Sequence, residues 1–345
     1  MSKGTDFEKL GSKIKKGFYI FSKIIFSLNS AAYHVLWLKF LQIVFIPIDV
    51  LFALIEKSRA KIKADKEIPI IFVVGIQRTG STLVSQFIEK TFSFFPIGNF
   101  NAIFKRSTYY VHKHLARFYR SNGSYKNFYG ISKGLFSIGD CYEVWDKWFG
   151  KNHYVLPPSV NENKINDLSD YFTGLYASYN RPILTKNNRN SLLIPIFRKV
   201  FNNGFYIVVK RDPVAVIKST LKASKDFFGK DNMLWGLYPN KEFDTKNYEN
   251  LTEAATVQFL MLDKLLDEQI NDLNKDSYLI VDYDEFCKNP SQFQKNLIDK
   301  LKLKSEYDFK NVIYSDASFS TSKRLDKLQI DEQIQGYINK WKNKI

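Results

Sequence analysis

The chain has 345 residues, and 51 Lys and Arg against 35 Asp and Glu give a formal charge of +16. Apolar residues make up 45% and aromatic residues 16%, enough for a sizeable core, which excludes a disordered tail and fits one large α/β domain with an appendage. The basic balance favours anionic partners such as nucleotides, acidic glycans, nucleic acid or a phospholipid surface. Cys141 and Cys287 match no metal-ligand spacing, which argues against disulfide or zinc frameworks and for a reducing, cytosolic setting.

Residues 1–65 form a first unit, aromatic, apolar and punctuated by lysine, without a cleavable signal pattern. Val35 to Ile55 has the length of a membrane span, but Lys39, Gln42, Pro47 and Asp49 interrupt it. One central Asp costs roughly 2.5–3.5 kcal/mol on insertion scales. The segment is therefore expected to form helices that lie on a membrane surface or pack on the main domain, rather than a span.

Residues 66–345 read as a second unit of short β-rich runs alternating with helical periodicity. "IPIIFVVG" is expected to be a buried strand, and "STLVSQFIEKTF" sets Leu83, Val84, Phe87 and Ile88 on one helical face. "FYIVVK" then "RDPVAVIKSTLKAS" repeats the arrangement, with Pro213 suited to a first helical turn. "YLIVDY" then "NPSQFQKNLIDKLKL" is a third such unit. The alternation implies a parallel sheet covered on both faces, with ligands beyond the strands' carboxyl ends. Residues 96–204 are longer, less regular and rich in Tyr, Phe, Asn and Lys, as expected of an insertion that builds a substrate site.

The loop between the first strand and its helix, Gly75-Ile76-Gln77-Arg78-Thr79-Gly80-Ser81-Thr82, has the frame of a Walker A loop with Ser81 in place of the lysine. Backbone N–H groups at the helix start still suit an anion, and Arg78 adds a fixed positive fork. Without the lysine, ATP hydrolysis is not expected. In the second unit Arg211 ends a strand and Ser219 follows about two helical turns later, positioned to grip a second phosphate. The two segments together fit a nucleotide with separate 5′ and 3′ anionic groups.

At these residues the sequence resembles the sulfotransferases that use 3′-phosphoadenosine 5′-phosphosulfate (PAPS), particularly the bacterial branch similar to tyrosylprotein and carbohydrate enzymes. The resemblance runs from about Ile68 to Lys304 on four segments: "FVVGIQRTGSTL", "LTKNNRNSLLIPIFRKVF", "IVVKRDPVAVIKS" and "LIVDYDEFCKNPSQF". It implies a P-loop-like parallel sheet flanked by helices, to which residues 1–65, read above from their own pattern, add an N-terminal helical extension. It further implies that Arg78, Thr79, Gly80, Ser81 and Thr82 hold the 5′-phosphosulfate, that Arg211 and Ser219 hold the 3′-phosphate, and that Lys186 stabilises the transferring sulfuryl group.

Sulfuryl transfer needs in-line attack and neutralised charge on the transferred group, so positioning and fixed cations carry most of the work and no metal is required in principle. An acceptor hydroxyl also needs a base. Glu143, an acid among aromatics in "GLFSIGDCYEVWDKWFG", is the residue chosen, on the expectation that partial desolvation raises its pKa; pairing with a nearby lysine is its alternative. His112, His114 and His153 are rival bases, with Asp140 and Asp146 behind them. Gly130-Ile131-Ser132-Lys133-Gly134 matches a nucleophile elbow in letters only, because its context is not strand-turn-helix. Tyr283, Asp284 and Pro290 are read as structural.

These readings lead to sulfuryl transfer from PAPS to a hydroxyl, on a glycan or polysaccharide precursor. The expected setting is cytoplasmic, with peripheral contact at the inner face of the membrane and no nucleic-acid partner. A degenerate P-loop kinase or nucleoside triphosphatase, and a non-catalytic anion- or membrane-binding module, are the alternatives. The first lacks a recognisable Mg²⁺-holding acid after a strand, and the second leaves the spaced anion segments unexplained.

Overall fold

The run Ile70–Val74 is buried at every position, and its period of two feeds two cores. In the computed structural model, Ile70, Phe72 and Val74 join one apolar cluster while Ile71 and Val73 join another on the opposite face. The structure describes residues 29–57, 67–119, 124–128, 130–157, 159–229, 232–302 and 328–345, with single positions at 22, 25, 26, 312, 313, 315 and 317–320.

In chain order the elements are α1 (Ser30–Val44), α2 (Ile46–Lys57), β1 (Ile70–Val74), α3 (Ser81–Thr91), β2 (Phe95–Pro96), α4 (Asn99–Ile103) and α5 (Thr108–Leu115). They continue with β3 (Asn127–Phe128), β4 (Ile131–Ser132), α6 (Tyr142–Phe149), α7 (Glu162–Tyr179), β5 (Ile183–Lys186), α8 (Ile194–Val200), β6 (Gly204–Lys210) and α9 (Pro213–Phe228). Last come α10 (Leu251–Asn271), β7 (Tyr278–Asp282), α11 (Tyr283–Lys288), α12 (Pro290–Lys302) and α13 (Leu328–Trp341). The main sheet is parallel throughout, in the order β2-β5-β1-β6-β7, with helices on both faces; the fold is α/β. β3 and β4 form a separate antiparallel pair.

The three expected strand-helix units are present. Pro213 is the first residue of α9, and the Asp212 side chain caps that helix by accepting from the Ala215 N–H at 2.8 Å. The stretch 96–204 is more than an insertion. It supplies β5, which lies beside β1 in the centre of the sheet, and the 18-residue α7. β5 is only four residues long and polar at its end, so its sequence signal is weak.

The N-terminal pair α1 and α2 packs on α4 and α5 through a third cluster, where Leu38 meets Phe100, Ile103, Phe104 and Val111. Asp49, which breaks the apolar run in sequence, is fully buried there. It accepts from the backbone N–H groups of Arg106 and Ser107 at 3.1 and 2.9 Å and pairs with the Arg106 guanidinium. It therefore satisfies backbone donors at the approach to α5. Among the described residues no single helix is long and apolar enough to cross a membrane, and α1 and α2 are bent by 55° from one another.

One buried acid on α3 gives a stability prediction. Glu89 is buried and accepts from the Ile138 N–H at 3.1 Å; burial pushes its carboxyl up to about 7 against the opposing pull of that N–H. A raised folded-state value contributes stability below the unfolded value, near 4.5, and loses it as pH rises through about 7. Glu89→Gln keeps the acceptor for Ile138 and removes the ionisation. It is expected to leave stability unchanged at pH 4.5 and to raise it at pH 8 by on the order of 1–3 kcal/mol. Urea titrations at the two pH values, if they give equal effects, would show that Glu89 does not titrate in this range.

Candidate active site

A cleft of about 2000 Å³ opens at the carboxyl ends of β1, β5 and β6, and candidate residues from each of these strand ends line it. Arg78, Gly80, Ser81 and Thr82 come from the β1–α3 turn, Lys186 from the end of β5, and Arg211 and Ser219 from β6–α9. Glu143 reaches the same cleft from the first turn of α6.

The β1–α3 turn is shaped for an anion. Gly80 has φ of 97° and Arg78 has φ of 72°, both left-handed, and for Arg78 this conformation is strained and is the kind stored at ligand clamps. No side chain caps the start of α3, so its first N–H groups are left for a ligand. Thr79 does not face the cleft. Its N–H and its hydroxyl both donate to the Ile76 carbonyl, the latter at 2.8 Å, so its side chain closes the turn rather than reaching a ligand. A side chain at Gly80 would strike the Tyr283 ring at 2.1 Å, so this position admits only glycine.

Arg78 ties the β1–α3 turn to α9: its Nε donates to Ser219 Oγ at 2.9 Å. Beside it the Arg211 guanidinium lies 4.6 Å over the Tyr283 ring and 4.0 Å from an Asp284 carboxylate oxygen. Tyr283 and Asp284, read from sequence as structural, thus hold Arg211 from β7–α11. The signal that could have marked them is their place at the carboxyl end of a third parallel strand, the same position that selects Arg78 and Arg211.

Lys186 is buried, and its ammonium donates to Asp140 Oδ1 at 2.7 Å. The Asn188 N–H also donates to that oxygen at 3.3 Å, and Asn188 Oδ1 in turn accepts from Ser81 Oγ at 3.4 Å. Asp140 is therefore the partner of Lys186, a fixed hinge between β5, α6 and the phosphate-type loop.

Glu143 departs from expectation in its ionisation. Burial pushes its carboxyl up, but the charge and hydrogen bond of Lys39, its own backbone N–H and Gln42 outweigh that, and the net position lies below the ordinary value. Lys39 and Gln42 sit on α1, so the N-terminal segment supplies side chains to the cleft.

The histidine rivals separate. His112 is fully buried against Asn101 and Tyr179, burial holding it near 3, and it does not line the cleft; nor does His114. His153 does line the cleft, stacked on Tyr142 and 2.6 Å from Asp146 Oδ1. Ser132 of the elbow-like motif is buried and accepts from Gln86 Nε2 at 2.9 Å, with no helix directly after it. Among the described residues there is no group of His, Cys, Asp and Glu arranged to hold a metal ion.

Residues 69–307 match the model of the sulfotransferase family. A comparison with curated proteins finds no match. Among solved structures, sulfotransferase STF9 from Mycobacterium avium aligns at 12% identity and a TM-score of 0.46, over 82% of this chain and 78% of that one. STF1 from Mycobacterium tuberculosis H37Rv aligns at 12% and 0.46, over 78% and 77%. A sulfotransferase from Alicyclobacillus acidocaldarius aligns at 12% and 0.39, over 80% and 95%.

Proposed function

The chain belongs to the sulfotransferase family, and we propose that it transfers a sulfuryl group from PAPS to a hydroxyl on a glycan or polysaccharide precursor. The observation that carries the donor assignment is the joining of two anion-type segments across one cleft: Arg78 in the lysine-less loop and Ser219 on α9 are hydrogen-bonded at 2.9 Å. A donor with phosphosulfate at one end and a 3′-phosphate at the other suits such a pair. The loop N–H groups, Ser81 and Thr82 would take the 5′ end, and Arg211 with Ser219 the 3′-phosphate. The reading includes a cytoplasmic setting, with residues 1–65 in peripheral contact with the membrane's inner face.

In the proposed reaction the acceptor oxygen attacks sulfur in line while the bond from sulfur to the 5′-phosphate oxygen breaks. The electron pair leaves on 3′-phosphoadenosine 5′-phosphate, and the acceptor's proton passes to the Glu143 carboxylate. Arg78 and Lys186 neutralise charge on the sulfuryl oxygens, and the buried site keeps that attraction poorly screened. Asp140 and Asn188 hold Lys186 in place, so little reorganisation accompanies transfer.

Thermal-shift measurement tests the donor site. 3′-Phosphoadenosine 5′-phosphate at a hundredfold excess over its Kd is expected to stabilise the protein by about 2.7 kcal/mol, and ATP with Mg²⁺ by much less. Equal or greater stabilisation by ATP would remove the PAPS reading.

A further inference from the structure

The helices α1 and α2 carry large apolar side chains on the face turned away from the protein as well as on the face packed against it. Several of their polar side chains have partners on the rest of the protein. His34 accepts from the Gly134 N–H at 3.0 Å, Lys39 and Gln42 meet Glu143, Asp49 satisfies backbone donors before α5, and Glu56 accepts from the Tyr109 N–H at 2.7 Å. Leu38 and its neighbours pack inward, and a second set of apolar side chains points out. Tyr33, Trp37, Phe40 and Val44 recur at spacings of four, three and four, one stripe of a helix, and Leu51 and Leu54 are exposed on α2. Phe40, Leu51 and Leu54 are 54, 55 and 59% exposed. Single exposed apolar residues are ordinary, but a continuous stripe of large ones marks an interaction surface.

We propose that this stripe docks into the interface of an anionic bilayer, and that the acceptor is a hydroxyl compound carried on lipid and presented at that surface. The second half rests on the sulfuryl-transfer reading. Charge selects the bilayer over a second copy of the chain. Lys13, Lys15 and Lys16 precede the pair in sequence, and Arg59, Lys61, Lys63 and Lys66 follow it. Arg106, Lys113 and Arg117 are exposed on and beside α5, which packs against α2. Two copies of a +16 chain repel one another, whereas anionic lipid attracts each basic side chain near its surface. The bend of 55° suits helices lying in the interface rather than crossing it.

Geometry joins the surface to the substrate. Val35, Leu38, Lys39 and Gln42 of α1 line the catalytic cleft from the inner side of the helix whose outer side carries the stripe. The cleft and the docking face are thus separated by the thickness of one helix, about 10 Å. An acceptor whose head enters the cleft can keep its lipid chains in the bilayer.

Cosedimentation of the full-length protein with phosphatidylglycerol–phosphatidylcholine vesicles tests the docking. Binding at low salt is expected, weakened by added salt and absent with phosphatidylcholine alone. The double variant Trp37→Glu/Phe40→Glu should lose at least tenfold in vesicle affinity while keeping the thermal shift from 3′-phosphoadenosine 5′-phosphate, which shows that the fold and donor site persist. Failure of the wild type to bind, equal binding by the variant, or a dimer by light scattering that the variant dissolves would each overturn it. For the acceptor, source-cell membranes are incubated with enzyme and radiolabelled sulfate donor and extracted with chloroform–methanol. Label is expected in the organic phase and should fall several-fold with the double variant. No label in that phase overturns the lipid-borne acceptor, whereas loss of the nucleotide thermal shift would count against the donor reading instead.

Discussion

Lys186→Ala is expected to cut the release of 3′-phosphoadenosine 5′-phosphate by about 10²–10³-fold, the range seen when one preorganised charge-stabilising donor is removed. It is also expected to destabilise the protein by about 3–5 kcal/mol, because the substitution strands a buried carboxylate. The two effects have different origins and can be separated. Lys186 and Asp140 are 1% and 7% exposed at their side chains and 2.7 Å apart, so removing the ammonium alone leaves the desolvated Asp140 carboxylate without its cation, with the Asn188 N–H still donating to it. Adding Asp140→Asn removes the stranded charge. The pair Lys186→Met/Asp140→Asn should recover most of the stability in urea titrations and none of the turnover. Turnover that returns together with stability would reduce Lys186 to a structural partner of Asp140.

The parts of this site that were legible in the sequence are the local ones. The β1–α3 loop and the β6–α9 turn each lie within one short stretch, where a buried strand, a glycine or proline and a helix start fix the geometry between neighbours. The partners that set each residue's chemistry are distant in sequence. Asp140 and Lys186 are separated by 46 residues, and Lys39 and Glu143 by 104. No periodicity marks such pairs. That is why Glu143 reads from sequence as a carboxyl raised by aromatic neighbours, with pairing to a lysine as the alternative, while in the fold an α1 lysine 104 residues away is that partner and outweighs burial. The partners of Asp49 are hidden from the sequence in the same way. As a letter in an apolar run it signals an obstacle to membrane insertion, and in three dimensions it is a backbone acceptor turned inward, so its carboxylate does not interrupt the outer stripe of the helix pair. Tyr283 and Asp284 meet Arg211 because β7 lies beside β6, a pairing that no local stretch encodes.

Glu143→Gln should lower turnover by roughly 10²–10⁴-fold with little change in donor affinity, since glutamine keeps the shape and hydrogen-bonding reach but cannot take the acceptor's proton. The pH profile carries the sharper test. A base works when ionised, so the wild-type rate should rise with pH through the Glu143 pKa. Burial alone would set that limb above the ordinary carboxylate value, and the Lys39 charge and hydrogen bond bring it below. Lys39→Met removes the opposing contribution, so the limb should move to higher pH; in Glu143→Gln it should vanish. A limb that stays fixed in Lys39→Met would show that the titrating group is not in contact with α1. His153 is the residue that such a result would favour, because it lines the same cleft and its ring is held by Asp146 at 2.6 Å, the arrangement in which a carboxylate orients an imidazole. Normal turnover by Glu143→Gln combined with a dead His153→Gln would move the base one helix end along, from the first turn of α6 to the loop after it, while leaving the anion site of Arg78, Arg211 and Ser219 as it stands.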